Sequence, residues 1–151
     1  MLGKLARWLR ILGYSVDFLA NREDREILSH CKQFSTILLT GDVELFKRAL
    51  RMNVAAHLVS VHESVSYQLA KLSKKYNLKL TPNAEYSRCS VCNGELYPIP
   101  RAAALGLVPA TSFSMYDQFW RCSNCGKIYW KGGHWVKILK VFEEAKRIAN
   151  S

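Results

Sequence analysis

The stretch "STILLTGDVELFKRAL", residues 35–50, sets the class of the fold. Its first six residues form a short continuous apolar run, the signature of a strand buried on both faces of a parallel sheet. Gly41 and Asp42 close the run, and the pattern changes to a helical period that puts Leu45, Phe46, Ala49 and Leu50 on one face. A second unit follows at similar spacing. "VAAHLVSV", residues 54–61, reads as a strand, and Ser64 opens a helix with Val65, Leu69, Leu72 and Tyr76 on its buried side. Strand, helix, strand, helix at this interval predicts right-handed βαβ crossovers and a parallel α/β sheet.

Working outward, residues 2–12 read as a helix. Leu2, Leu5, Leu9 and Leu12 form one stripe, Lys4, Arg7 and Arg10 lie on another side facing solvent, and Gly13 supplies the stop. Tyr14–Leu19 looks extended. Asn21 is placed to cap a helix running to Phe34, with Asp24 in its first turn and Ile27, Leu28, Cys31 and Phe34 facing inward. A sheet of this class usually begins with a strand, whereas this sequence begins with a helix. The first fourteen residues are basic, amphipathic and free of acids, as a transit peptide is, but they lack its serines and run straight into structured sequence.

After "KLTPNAEYSR", residues 79–88, the periodicity stops and cysteines, prolines and aromatics take over. The expected division is an α/β domain over residues 1–83 and a second unit over 84–151, which ends in an amphipathic helix carrying Ile138, Val141 or Phe142, Ala145 and Ile148. Four of the five cysteines, Cys89, Cys92, Cys122 and Cys125, form two C-x2-C pairs, each with a glycine close behind. Two residues between thiolates let both face one ion, and a closed set of four sulfurs suits a structural Zn2+, with iron as the lesser possibility. The alternative, a pair of disulfides, finds no secretory signal to support it. The gap between the pairs is long for a zinc ribbon, so it must hold an extra loop or hairpin containing Pro98, Pro100 and Pro109. Cys31 stands alone on a helix face and reads as a buried free thiol.

The chain carries 22 Lys and Arg against 12 Asp and Glu, a formal charge of +10, which favours a polyanionic partner. No apolar run approaches the roughly 18 residues of a membrane span. "YDQFWRC" and "KIYWKGGHW" set six aromatics beside Arg121, Lys127 and Lys131. Aromatics interleaved with bases can stack on single-stranded nucleic acid, and a small ribbon also needs large side chains simply to pack. His134 reads as a hydrogen-bonding surface residue.

In an open α/β sheet, chemistry gathers at the carboxyl ends of the strands. Asp42 sits at such an end and Asp24 at a helix start reached from the preceding strand, so both can face the same crevice, and Glu44 could add a third. Taken singly, each aspartate reads as a helix cap. Taken together in a basic chain, the three suit a site that holds Mg2+ or Mn2+ for phosphodiester cleavage. Lys4, Arg7 and Arg10 would then contact phosphates beside the crevice, unless they are only a solvated helix face.

Taken in order, "MLGKLARWLRILGY", "ILLTGDVEL", "CSVCNGEL", "YDQFWRC" and "GKIYWKGGHW" resemble the Mut-seven C-terminal RNase family, from Met1 to about residue 136. The resemblance implies a PIN-like, Rossmann-like parallel sheet, a metal-dependent RNA-cleaving site and an attached zinc ribbon. It matches Asp24 and Asp42 to acidic active-site positions and puts Lys4 in the family's signature. Two departures stand out. Family members have a first strand ending in an aspartate just before the "MLGKLARWLR" motif, which this sequence lacks, and they usually carry a basic residue where Gly41 stands. Either the gene starts upstream, or the scaffold is kept with weakened or absent catalysis. Three functions follow in order of expectation: a cytoplasmic metal-dependent ribonuclease; a non-catalytic protein that binds RNA, ribosomal RNA or the ribosome; and a protein-interaction module built on the aromatic ribbon.

Overall fold

The computed structural model describes residues 2–151. Six helices run α1 Leu2–Ile11, α2 Asp24–Phe34, α3 Val43–Arg51, α4 Val65–Tyr76, α5 Ala110–Met115 and α6 Gly133–Ala149. Five strands run β1 Leu38–Thr40, β2 Ala56–Leu58, β3 Leu96–Ile99, β4 Phe119–Cys122 and β5 Ile128–Tyr129. The protein is a mixed α/β molecule in which β1 and β2 pair in parallel, Leu38 opposite Ala56 and Thr40 opposite Leu58. A separate antiparallel sheet has the order β3-β4-β5. None of the described helices is long and apolar enough to cross a membrane.

The parallel pair is shorter than the apolar runs suggested. β1 keeps only the last three residues of its run and β2 three residues from within its own. Tyr14–Leu19 is not a strand. Its backbone bonds to side chains instead: Val16 N–H donates to Asn93 Oδ1 at 3.0 Å, and Val16 O accepts from Arg10 Nη2 at 2.7 Å. Between this segment and the edge of β1 away from β2 lies a cavity of about 590 Å³, lined by apolar side chains of α1, β1 and α4 such as Leu5, Leu9, Leu39 and Leu72. Among the described residues no strand pairs with that edge of β1.

Two apolar clusters support the parallel pair. Leu28 and Cys31 of α2 and Leu45 and Ala49 of α3 enclose one, with Leu38 and Ala56 from the strands. The other joins Leu5 and Leu9 of α1 to Leu69 and Leu72 of α4 and to Phe142 and Ala145 of α6. Helix α6 therefore folds back from the ribbon onto the α/β layer. There the buried Ser66 hydroxyl donates to Glu144 Oε2 at 3.1 Å, and the Phe142 ring meets Trp8 edge-on at 5.3 Å.

Three local expectations are corrected. Asn21 does not cap α2: it adopts a left-handed turn at φ 64°, and Glu23 takes the capping position without a side-chain bond. Phe34 points outward at 57% exposure, tilted against His30, and Leu50 is 51% exposed. Both residues close the apolar stripes of their helices at the C-terminal end and face solvent. The long gap between cysteine pairs holds β3, which runs through a 3-10 turn at Arg101–Ala104 and α5 to its antiparallel partner β4. Pro98 is tolerated in β3 because that strand is an edge.

Phe142 is 1% exposed at the junction of α1, α4 and α6. Phe142→Ala should lower unfolding stability by about 3–5 kcal/mol, the usual cost of such a cavity, as read from the midpoint of denaturant unfolding at unchanged slope.

Candidate functional site

The two C-x2-C turns meet as expected. Cys89, Cys92, Cys122 and Cys125 place their sulfurs within 4.8 Å of one another, and among the described residues no other group of three or more His, Cys, Asp or Glu side chains comes so close. Cys92 and Cys122 lie 3.4 Å apart and Cys89 and Cys125 3.7 Å apart, across the turns rather than within them. A tetrahedron with Zn–S of about 2.3 Å has edges near ~3.8 Å, so the spacing fits zinc. All the cysteines are free thiols, Cys31 among them and buried.

The backbone of each turn is matched to this task. Asn93 takes a left-handed conformation at φ 69° after Cys92, and Gly126 does the same at φ 79° after Cys125. Asparagine tolerates that region better than most residues. Gly94 has a different function from the one its position suggests: it makes room. A Cβ there would fall 2.6 Å from Cys122 Sγ and 3.2 Å from Cys92 Sγ, so any side chain would push the sulfurs apart.

The electrostatics of the cluster call for a cation. Hydrogen bonding by Asn124 lowers the Cys92 thiol to about 6, with Cys122 and the Gly94 backbone helping. Cys125 moves the other way. The Lys127 backbone pulls its pKa down, but burial and hydrogen bonds with the other three thiols push it net up to about 11. Thiols this close cannot all ionise unless a positive charge joins them. Burial, and then the bond to Cys89, pushes the Tyr129 hydroxyl up, so it stays a neutral donor 2.9 Å from Cys89 Sγ. A bound Zn2+ would be held by these four sulfurs and would supply cross-linking of the two turns rather than an open catalytic position.

The first turn also forms one wall of a cleft of about 1370 Å³. Lys4 and Arg7 of α1 line it from one side, Arg22 and Arg25 from the other, and Ser90, Val91 and Cys92 close an end. Lys4 and Arg7 are exposed, as expected. Arg10 is not. It is 7% exposed, and its guanidinium donates to Val16 O through Nε and Nη2 at 2.9 and 2.7 Å and to Ser90 O through Nη1 at 3.0 Å. Its donors are spent on carbonyls, so it positions the wall and leaves phosphate contact to its neighbours. Arg22 and Arg25 were missed in the sequence, although Arg25, Ser29 and Gln33 recur at four-residue spacing along α2 and all face the cleft. So were His30, whose Nε2 lies 3.1 Å from Asp17 Oδ2, and Asn93, whose amide reaches Ser15 and Val16.

The carboxylates are near the carboxyl end of β1 but do not converge. Asp42 is the N-cap of α3, its Oδ1 accepting the N–H groups of Glu44 and Leu45 at 2.9 and 3.1 Å. Asp24 Oδ2 accepts from Arg48 Nη1 at 3.2 Å, tying α2 to α3. Glu44 is exposed, 3.9 Å from Lys47 Nζ. Among the described residues, Asp24, Asp42 and Glu44 do not form a group of three whose ligand atoms lie as close together as the four sulfurs do. At Gly41 a Cβ would come 2.7 Å from Val61 Cγ1, so a longer residue at this position would require Val61 to turn aside.

On the ribbon, Arg121 is half-buried beside Gly126. Lys127 Nζ lies 5.1 Å from the Tyr129 ring centre, and Lys131 Nζ lies near both Trp120 and Trp135. His134 is exposed, as read from the sequence.

The purified chain should carry one zinc per molecule in native mass spectrometry. Cys89→Ser should lose the metal and lower the thermal midpoint by several degrees, because a structural site contributes its binding energy to folding. A metal-free chain as stable as the parent would overturn the assignment.

Comparison with curated proteins and with solved structures returns no match. Residues 1–142 match the family model described as the Mut7-C RNAse domain, a span that takes in both cysteine turns, the basic cleft and most of α6. The chain belongs to that family.

Proposed function

We propose that the protein is a ribonuclease acting on RNA, with residues 1–83 as a PIN-like α/β body and residues 84–151 as a zinc ribbon and helix that help hold the substrate. The observation that carries this reading is the cleft lined by Lys4, Arg7, Arg22 and Arg25, in a chain of net charge +10 whose family is an RNase domain. A phosphate backbone is the polyanion such a surface suits, and the exposed bases would hold it without reading sequence. Arg121, Lys127 and Lys131 extend positive charge along the ribbon. Four reduced thiols in a zinc site accord with a cytoplasmic protein.

For cleavage, Asp42 is the residue held most rigidly, since strand β1 and its capping bonds fix it. Asp24 and Glu44 complete the acidic trio of this reading. Phosphodiester hydrolysis with Mg2+ or Mn2+ would need these carboxylates to close on one ion. Their separation here favours a second reading, in which the same scaffold binds RNA or the ribosome without cutting.

Two measurements decide between them. Binding of a single-stranded RNA should weaken steeply with salt, and Arg7→Gln with Arg25→Gln should flatten the log–log slope by about 1.4, at about 0.7 for each phosphate left without its arginine. Asp42→Asn keeps the cap and should abolish any Mg2+- or Mn2+-dependent cleavage at unchanged RNA affinity. Cleavage that survives in Asp42→Asn refutes the site, and firm binding without cleavage in any variant establishes the second reading.

A further inference from the structure

A second cavity, of about 410 Å³, lies on the far side of the zinc turn from the basic cleft. Strand pairing sets Trp120 opposite Tyr129, so both side chains leave the ribbon sheet on one face. That face is roofed by the start of α6, where Trp135 and Ile138 point into the cavity, and Ile11 at the end of α1 closes the back. The volume lies within the roughly 300–1,000 Å³ of small-ligand sites and is suited to one nucleotide. Burying large aromatics to stabilise a small ribbon does not require an opening. That task is done on the opposite face, where Phe119 is 1% exposed and packs with Phe113.

The charge arrangement selects among ligands. Lys131 Nζ lies 6.0 Å from the Trp120 ring centre and 5.5 Å from that of Trp135, so one ammonium attends both indoles at the mouth. Lys127 stands beside Tyr129 on the same wall. Because the protein's own cation already lies against the rings, a cationic ligand would be repelled. A planar base carrying an anionic phosphate satisfies both elements: the base against indole, the phosphate on Lys131 and Lys127.

We propose that the cavity bounded by Trp120, Tyr129 and Trp135 is a base-binding subsite for single-stranded RNA, with Lys131 and Lys127 taking the adjoining phosphate. The proposal rests on the RNA reading above and adds a place where an unpaired base is held. It therefore makes single strands better ligands than duplexes of equal charge, which the basic cleft alone would not do.

The test uses the full zinc-loaded chain with a fluorescent uridine decamer, the same decamer annealed to its complement, and inorganic polyphosphate as a competitor. The decamer should bind at least several-fold more tightly than the duplex. Trp120→Ala and Trp135→Ala should each weaken decamer binding about ten-fold while leaving duplex binding, zinc content and the salt slope unchanged. Lys131→Gln should lower the slope by about 0.7. If an alanine variant misfolds, photocrosslinking of the parent with a 4-thiouridine decamer reads the same contact, and adducts should map to Trp120, Tyr129 or Trp135. A parent that binds no RNA overturns both readings. A parent that binds RNA while the tryptophan variants bind equally well, or whose adducts fall only on the α1–α2 cleft, overturns the subsite alone and leaves the aromatic face to a protein contact.

Discussion

The buried guanidinium of Arg10 joins the two halves of the molecule. It donates to Val16 O and Ser90 O, while the Arg10 carbonyl accepts the Arg88 N–H at 2.8 Å. One residue thus binds α1 to the segment that follows it and to the turn that carries Cys89 and Cys92. A buried cation without a carboxylate beside it is costly unless dipoles surround it, and a planar fork of donors suits several carbonyls at once. Asn93 completes the junction from the other side. Its side chain accepts from Val16 N–H and Arg88 Nε and donates to Ser15 Oγ. The left-handed backbone that Asn93 supplies to the zinc turn also aims that amide across the interface.

This junction explains what the sequence could and could not disclose. The leucine stripe of α1, the β1–α3 unit and the four-sulfur cluster depend on local periods and spacings, and all three are found where the pattern puts them. Arg10 reads as one of three solvent-facing bases, yet an i, i+3 series drifts about 60° per step round a helix. Arg10 therefore stands some 120° from Lys4, on the flank that the zinc turn covers. No helical period can announce a partner that is eighty residues away in sequence. Asn93 is hidden for the same reason, and so is the function of Gly94, whose need for space comes from Cys122 on the other turn.

The acidic residues illustrate the opposite limit. Their position near the end of β1 follows from local pattern, but their convergence is a tertiary matter. Helix capping fixes Asp42 and an ion pair with Arg48 on α3 holds Asp24, so each is satisfied by a partner other than a shared ion. The apolar cavity beside the unpaired edge of β1 belongs to the same region. Backbone donors and acceptors along that edge have no strand to bond among the described residues, and the side chains facing the space are those a sheet neighbour would cover.

The zinc turn bears on function through its position. Ser90 lines both the basic cleft and the aromatic cavity, and its hydroxyl lies 3.3 Å from that of Tyr129, which in turn contacts Cys89. Val91 and Cys92 face the cleft, whereas Tyr129 faces the cavity. Four thiols this close could hold one cation, and a metal bound there would order a wall shared by both spaces. A strand of RNA laid along α1 and α2 would pass the turn before meeting Trp120 and Trp135. A metal bound there would set the position of the basic cleft relative to the aromatic cavity, and rigidity at that one turn is what both would need to act on the same chain.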